Sequence, residues 1–341
     1  MNVEQAWYGG GLSSRAARGL LTPFAWVYRG IVSFRNELYD RSLLETSRSD
    51  IPVVSVGNLT VGGTGKTPFS AFIVQQLRSA GHHPAIVMRG YGDDELQLHA
   101  RINPETVVVA DRDRVAGIAS AVAAGADVAV LDDGFQHRRA RRDLEIVLVS
   151  AEKWGVDARM LPAGPFREPV GSLQRADIVV VTQKSADDRG VAAAVRSIRA
   201  LCGVSMPIAV ARLEPQALVS FQSGAELSLD TLRNERVLAV AGIGDPGSFF
   251  AQLRQLGAIV TSKQFRDHHA YSATDVAVLD AEASSHKYAV TTEKDAVKLA
   301  PLWPAKSDKL WYLSQAVRVT EGASLIAAAL AKLFQRATSI A

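Results

Sequence analysis

Apolar positions along this chain fall into two rhythms. Between residues 13 and 45, Leu20, Phe24, Val27, Ile31, Phe34 and Leu38 recur at spacings of four and three, which predicts a helix carrying them on one stripe. Leu21, Trp26, Tyr28 and Val32 widen that apolar surface. Beyond residue 50 the pattern changes to short β-branched runs at 51–56, 84–88, 106–109, 127–134, 144–149 and 178–181, separated by helical stretches such as 68–79 and 111–124. Strands alternating with helices of ~10–15 residues pair in parallel and predict a doubly wound α/β sheet. A second portion begins near residue 186, with strands at 207–211, 236–241 and 288–292 and helices at 247–256, 273–283 and 321–334. The expected organisation is an N-terminal amphipathic helical segment (1–48), a core (49–185) and a smaller C-terminal α/β portion (186–341).

Composition narrows the setting. The chain has 341 residues, 48% hydrophobic and 21% charged, the balance of an ordinary globular protein. A formal charge of +3 without a basic stripe or a recognised module argues against nucleic acid as a partner. The single cysteine, Cys202, excludes an internal disulfide and a cysteine-based zinc site and fits a reducing, cytoplasmic setting. No apolar run reaches the ~18 residues of a spanning helix, and the first five residues lack the basic start of a secretory signal. From residue 13 to 35 the only charges are Arg15, Arg18, Arg29 and Arg35. A basic, aromatic helix of this kind either lies in the headgroup region of an anionic bilayer or packs on its own protein's core.

The strongest chemical signal is Thr60-Val61-Gly62-Gly63-Thr64-Gly65-Lys66-Thr67, between an apolar strand and a helix. Glycines let successive N–H groups point into one concavity, and the helix N-terminus adds partial positive charge, so the stretch reads as the phosphate loop of a P-loop NTPase-type fold. Thr60 stands where the strict pattern has its first glycine. Lys66 would reach the β/γ-phosphates of ATP and Thr67 would ligate Mg²⁺. Asp132 and Asp133 close a buried strand, the position of an acidic group that holds Mg²⁺. The same turn carries Arg138, Arg139, Arg141 and Arg142, which meet either a substrate phosphate or solvent. Asp94 and Glu95 follow a strand and a glycine-flanked tyrosine, at the ligand edge of such a sheet, where an acid can take a hydroxyl proton. His268 is a candidate partner for such a carboxylate, although an isolated histidine is more often structural.

Six stretches resemble signatures of the tetraacyldisaccharide 4′-kinases, the lipid A 4′-kinases. In the family's order they are residues 55–68, Arg89-Gly90-Tyr91-Gly92, Leu131-Asp132-Asp133-Gly134-Phe135-Gln136-His137, residues 161–169 (Leu-Pro-Ala-Gly-Pro-Phe-Arg-Glu-Pro), Asp267-His268-His269 and residues 292–299 (Thr-Glu-Lys-Asp-Ala-Val-Lys-Leu). The resemblance implies transfer of the ATP γ-phosphoryl to the 4′-hydroxyl of a tetraacylated glucosamine disaccharide 1-phosphate, giving lipid IVA in lipid A biosynthesis. It implies Asp94 and His268 as a catalytic dyad beside Lys66, and Thr67, Glu95, Asp132 and Asp133 as Mg²⁺ candidates. Asn58, Arg89, Gln136 and His137, with Arg138, are the candidate substrate contacts. The expected arrangement has the 186–341 portion closing over the nucleotide cleft. By the same resemblance, residues 13–45 touch the cytoplasmic face of the inner membrane peripherally. One departure bears on the dyad: the family usually has a longer insertion before its Asp-Glu pair and a proline after it. Here Asp93 alone precedes Asp94-Glu95 and Leu96 follows, so Asp93 is a rival to Asp94. The competing reading is a membrane-associated switch ATPase acting on a protein partner; such loops carry a lysine before the Gly-Gly pair, where this chain has Val61. A phosphate-loop kinase for a soluble metabolite would leave the N-terminal helix unexplained.

Overall fold

A computed structural model describes residues 3–90, 93–155, 158–267 and 269–337, with backbone alone for residues 3–5, 93, 94, 336 and 337. Helices α1 (Val3–Tyr8) and α2 (Leu12–Asp40) precede β1 (Val53–Asn58). There follow α3 (Lys66–Ser79), β2 (Pro84–Met88), α4 (Asp93–Ile102), β3 (Val107–Ala110), α5 (Arg114–Ala123), β4 (Val128–Asp132), β5 (Leu144–Ser150), β6 (Ile178–Gln183), α6 (Asp188–Cys202) and β7 (Ile208–Ser220). The remainder comprises β8 (Glu226–Leu227), β9 (Arg236–Ala241), α7 (Pro246–Gln255), β10 (Ile259–Gln264), α8 (Ala273–Ala283), β11 (Tyr288–Thr292), α9 (Glu293–Leu299), β12 (Leu310–Glu321) and α10 (Ala323–Ala337).

The chain forms two compact units, one of Met1–Gly90, Asn103–Arg212 and Arg318–Ala341, the other of Tyr91–Ile102 and Leu213–Val317. In the first, the strand order is β7–β6–β5–β1–β4–β2–β3, parallel throughout. Every residue of β1, β2, β4, β5 and β6 is buried, which is what unbroken Val/Ile/Leu runs between covering helices require. Val191, Ala194 and Ile198 of α6, with Val32 of α2, pack on β5 and β6; Ile118 and Ala121 of α5 pack on β2 and β4. In the second unit β10, β9, β11 and β12 run parallel, covered by Phe249, Phe250 and Leu253 of α7 and by Val276 and Leu279 of α8.

The division differs from the one expected at residue 186. Residues 186–212 stay with the first unit because β7 continues the sheet, pairing Val179 with Ile208 through Gln183 with Arg212, and α6 is the crossover between β6 and β7. The chain then changes unit inside β7, which runs to Ser220 rather than ending near residue 211, so no Pro/Gly linker marks the crossing. α4 belongs to the second unit and α10 to the first.

α2 corrects one of the two readings offered for its stripe. Leu20, Phe24, Trp26, Val27, Ile31 and Phe34 are 63–77% exposed, while Ser14, Ala25, Val32 and Asn36 are buried. The helix therefore docks through Ala25, Tyr28, Val32 and Asn36 and turns Leu20, Phe24, Trp26, Val27, Ile31 and Phe34 outward. Among the described residues no helix is long and apolar enough to cross a membrane.

Candidate functional site

β1 ends on Asn58, whose buried side chain organises the loop that follows. Its Nδ2 donates to Thr64 Oγ1 (2.8 Å), and its Oδ1 accepts from Lys66 Nζ (3.3 Å) and from the Arg167 guanidinium. The loop is pinned where it starts, by the Val61 N–H donating to the Pro165 carbonyl (2.8 Å) and by a bridge between Thr60 and Phe166. Gly62 and Gly65 adopt φ of +103° and +85°, a region where a side chain is strained, so glycine stands there for a backbone reason. Lys66 and Thr67 form the first turn of α3, whose N-terminal dipole favours an anion at the loop.

Val56 of β1 pairs with Asp132 of β4, so the acidic pair emerges beside the loop. Asp132 is buried and accepts from Ser70 Oγ of α3 at 3.0 Å. Asp133 has φ of +55°, uncommon for a residue with a side chain, and its two oxygens accept from Arg167 at 2.7 and 2.8 Å. Lys66 Nζ lies 3.8 Å from the same carboxylate. Burial would raise the Asp133 carboxyl, but Lys66 and Arg167 outweigh it and hold it well below the usual carboxylate range. The turn presses on β1: a Cβ on Gly57 would fall 2.5 Å from Phe135 Cβ.

Gln136 Nε2 donates to the Asn58 carbonyl (2.9 Å), tying the turn to the loop. Burial, then Arg114 and Arg89, push His137 down to about 4, which leaves a neutral imidazole at pH 7. Arg138 donates to the Asn36 carbonyl (2.9 Å) and to Asp40 (2.6 Å) and lies over the Tyr39 ring, while Arg35 donates to the Gln136 carbonyl. Arg139 pairs with Asp113 and Arg142 with Glu145. Three of the four arginines read as candidate phosphate ligands thus fasten α2, meet α5's cap or close their own turn.

The first unit therefore brings Asn58, Lys66, Thr67, Asp132, Asp133, Gln136 and His137 together, with Arg89 exposed just after β2. Glu95 lies on α4 in the second unit. His268 lies outside the described residues, as do the side chains of Asp93 and Asp94. α4 is anchored within its own unit by Arg101, whose Nε and Nη2 donate to the Tyr312 hydroxyl (3.3 and 3.1 Å) and whose guanidinium lies 4.2 Å from the Phe221 ring centroid. Burial pushes Glu293 up to about 7 against the opposing charge of Arg101. Sequence reading gave no role to Arg167, Ser70 or Arg101. Arg167 sat inside a quoted signature; Ser70 and Arg101 carry no local mark that separates them from ordinary helical polar residues.

A parallel sheet with a glycine loop and helical lysine after one strand, and an acidic pair ending the neighbouring strand, defines a phosphate-loop nucleotide-binding fold. The family model described as tetraacyldisaccharide-1-P 4′-kinase matches residues 17–97 and 92–335. The chain is 39% identical over 352 residues to the tetraacyldisaccharide 4′-kinase of Halorhodospira halophila, covering 96% of this chain and 95% of that one. It is also 39% identical over 317 residues to that of Syntrophus aciditrophicus, covering 83% and 84%. The crystal structure of "apo" form LpxK from Aquifex aeolicus in complex with ATP matches with a TM-score of 0.72 at 30% identity, over 94% of this chain and 99% of that one. This chain belongs to the tetraacyldisaccharide 4′-kinase family, as its six signatures indicated.

Proposed function

We propose that this protein transfers the γ-phosphoryl group of ATP to the 4′-hydroxyl of a tetraacylated glucosamine disaccharide 1-phosphate. The observation that carries the reading is the Lys66 ammonium, held by Asn58 at the first turn of α3 beside Asp132 and Asp133, in a chain that matches this family along nearly its whole length. The loop N–H groups and Lys66 bind the β- and γ-phosphates and neutralise the charge that spreads over their oxygens during transfer. Among the described residues no cluster of three or more His, Cys, Asp or Glu could hold a metal unaided. Mg²⁺, a hard ion that takes oxygen ligands and keeps several waters, would fit a site made of a hydroxyl, a carboxylate and the nucleotide's phosphates. The Thr67 hydroxyl and the Asp132 carboxylate, oriented by Ser70, are the residues that would hold it, and it would add charge neutralisation at the same phosphates. Asp94, with His268, is the proposed acceptor of the hydroxyl proton, Glu95 and Asp133 are further Mg²⁺ candidates, and Asn58, Arg89, Gln136, His137 and Arg138 are proposed to hold the substrate.

The proposal also puts residues 13–45 on the membrane surface, at the cytoplasmic face of the inner membrane. Its support is the outward stripe of Leu20, Phe24, Trp26, Val27, Ile31 and Phe34, flanked by the exposed Arg15 and Arg29. Four acyl chains leave a bilayer at a cost of ~0.8 kcal/mol per CH₂, so the enzyme meets its substrate there. The test is a transfer assay with γ-labelled ATP, Mg²⁺ and tetraacyldisaccharide 1-phosphate in detergent micelles. Labelled lipid that disappears in Lys66→Ala supports the kinase; label released as phosphate without labelled lipid would favour the switch ATPase.

A further inference from the structure

Residues 292–299 take no part in the phosphate chemistry, yet the fold brings them against the segment that carries His268. β10, β9 and β11 are parallel neighbours, so the residues that follow them, Phe265, Gly242 and Glu293, leave the same edge of the second unit's sheet. The residues flanking His268 are held from both sides. The Phe265 N–H donates to the Ala241 carbonyl (2.8 Å), and the His269 N–H donates to the Arg266 carbonyl (3.0 Å). The Phe265 ring lies 4.7 Å from that of His269 and 5.0 Å from that of Tyr271, which stand 4.9 Å apart. His269 Nε2 is 3.2 Å from Asp275 Oδ2 of α8, and Lys294 Nζ of α9 is 3.9 Å from Asp267.

Asp295, on α9, is fully buried at the centre of this arrangement. Its Oδ2 accepts from the Gly242 N–H and from Thr292 Oγ1, both at 2.8 Å. Its Oδ1 and the buried Tyr271 hydroxyl face Gly242 together. A Cβ on that glycine would fall 2.9 Å from the hydroxyl, 3.1 Å from Oδ1 and 3.3 Å from the Arg266 carbonyl. Among the described residues neither the hydroxyl nor Oδ1 has another hydrogen-bond partner, and Lys298 Nζ stands 4.0 Å from Oδ1. Burial, then the charge of Asp295 and its hydrogen bond with the hydroxyl, push Tyr271 well above its ordinary range, so the phenol keeps its proton. A buried donor and a buried acceptor with no other partners gain from each other what neither recovers from water.

Ring contacts hold the segment without giving it a direction, and a solvent-facing pair such as Lys294 with Asp267 adds little. The Tyr271 hydroxyl supplies the directed contact, between the segment that leaves β10 and the helix that follows β11. Acid–base work depends on such placement, because a displacement of ~1 Å costs up to about 10²-fold in rate. We propose that Tyr271 is a positioning residue for phosphoryl transfer, its hydroxyl bound to Asp295 against Gly242 so that the segment carrying His268 is fixed. The proposal deepens the kinase reading and rests on its assignment of His268 to the acceptor hydroxyl.

The experiment is a double-mutant cycle on the full chain, comparing the unaltered protein, Tyr271→Phe, His268→Ala and the pair, read by transfer of labelled phosphate to the lipid. Tyr271→Phe keeps the ring and removes only the hydroxyl. The expected result is a kcat lowered about tenfold in Tyr271→Phe with KM for ATP within about twofold, since the phosphate loop lies in the other unit. Once His268 is gone, the same change should cost less than about twofold more. Equal losses with and without His268 would mean a general structural role and would overturn the proposal, as would an unchanged kcat in Tyr271→Phe. Asp295→Asn, which keeps the side chain's shape, goes through the same cycle and decides in the same way if Tyr271→Phe does not fold. Failure of the underlying assignment has its own signature: His268→Ala alone would turn over at the wild-type rate, and the positioning role would fall with it.

Discussion

Arg167 grips Asp133 with two hydrogen bonds, 2.7 and 2.8 Å, and with the same guanidinium reaches the Asn58 side chain that holds Lys66. A two-point arginine–carboxylate pair fixes direction as well as charge. Asp133 is thereby turned toward the 161–169 segment, and Arg167 shares with Lys66 the task of balancing its charge. Removing Arg167 would leave Lys66 as the nearest cation to that carboxylate and draw it from the phosphates. Arg167→Ala is expected to lower kcat/KM for ATP by at least about tenfold, and Arg167→Lys to recover only part, because an ammonium lacks the fork. Steady-state kinetics checks this; wild-type values in Arg167→Ala would remove the pair from the working site.

Lys66→Ala deletes the charge aimed at the β/γ-phosphates. Loss of one preorganised group that stabilises transition-state charge costs roughly 10²–10³ in turnover. The labelled-phosphate transfer assay should show a fall of that order while the thermal unfolding temperature stays near the wild-type value, since Asp133 keeps its two hydrogen bonds to Arg167.

The two faces of α2 should respond oppositely to the same change. Phe24, Trp26 and Ile31 are exposed, so their replacement by Ser is expected to weaken binding to anionic vesicles with stability unchanged within about 0.5 kcal/mol each. Val32 is buried against β5 and β6, and Val32→Ser should destabilise by about 1–3 kcal/mol. Flotation with anionic vesicles and thermal unfolding separate the two effects; unaltered vesicle binding in the triple variant would return α2 to a purely structural role.

Glu293 gives a pH signature. Its ordinary value of 4.5 rises to about 7 in the fold, chiefly through burial. Between those values the folded state keeps a proton that the unfolded chain has lost, so this group's contribution falls as pH rises from 4.5 to 7. Glu293→Gln removes the penalty. Its melting temperature should match wild type near pH 4.5 and exceed it at pH 8, by an amount corresponding to at most roughly 3 kcal/mol. Equal melting curves at both pH values would show that the carboxyl ionises normally.

Arg101 secures α4, the helix that carries Asp94 and Glu95, on Tyr312 and Phe221. Arg101→Ala should lower kcat while leaving ATP binding within about twofold, because the phosphate loop lies in the other unit. An unchanged kcat would mean that α4 needs no such anchor, and a parallel loss of ATP binding would point to general unfolding.

Much of this was legible in the residue order because its causes are local. The phosphate loop needs glycine at backbone angles closed to other residues and a lysine at the helix start, and these requirements sit within eight consecutive positions. The alternation of apolar runs likewise announced the parallel sheet. What stayed hidden was decided by groups far apart in the chain. Asp133 and Arg167 are 34 positions apart and Gly242 and Asp295 are 53 apart, and no spacing rule links them. The boundary between units was invisible because the crossing falls inside β7, where an extended strand looks the same on both sides. In α2, periodicity determined that Phe24, Ile31 and Phe34 share a face. Only the tertiary structure decided that this face points outward, because spacing fixes which side chains lie together, whereas the surface a helix docks against is set by the partners that Asn36 and Val32 meet elsewhere in the fold.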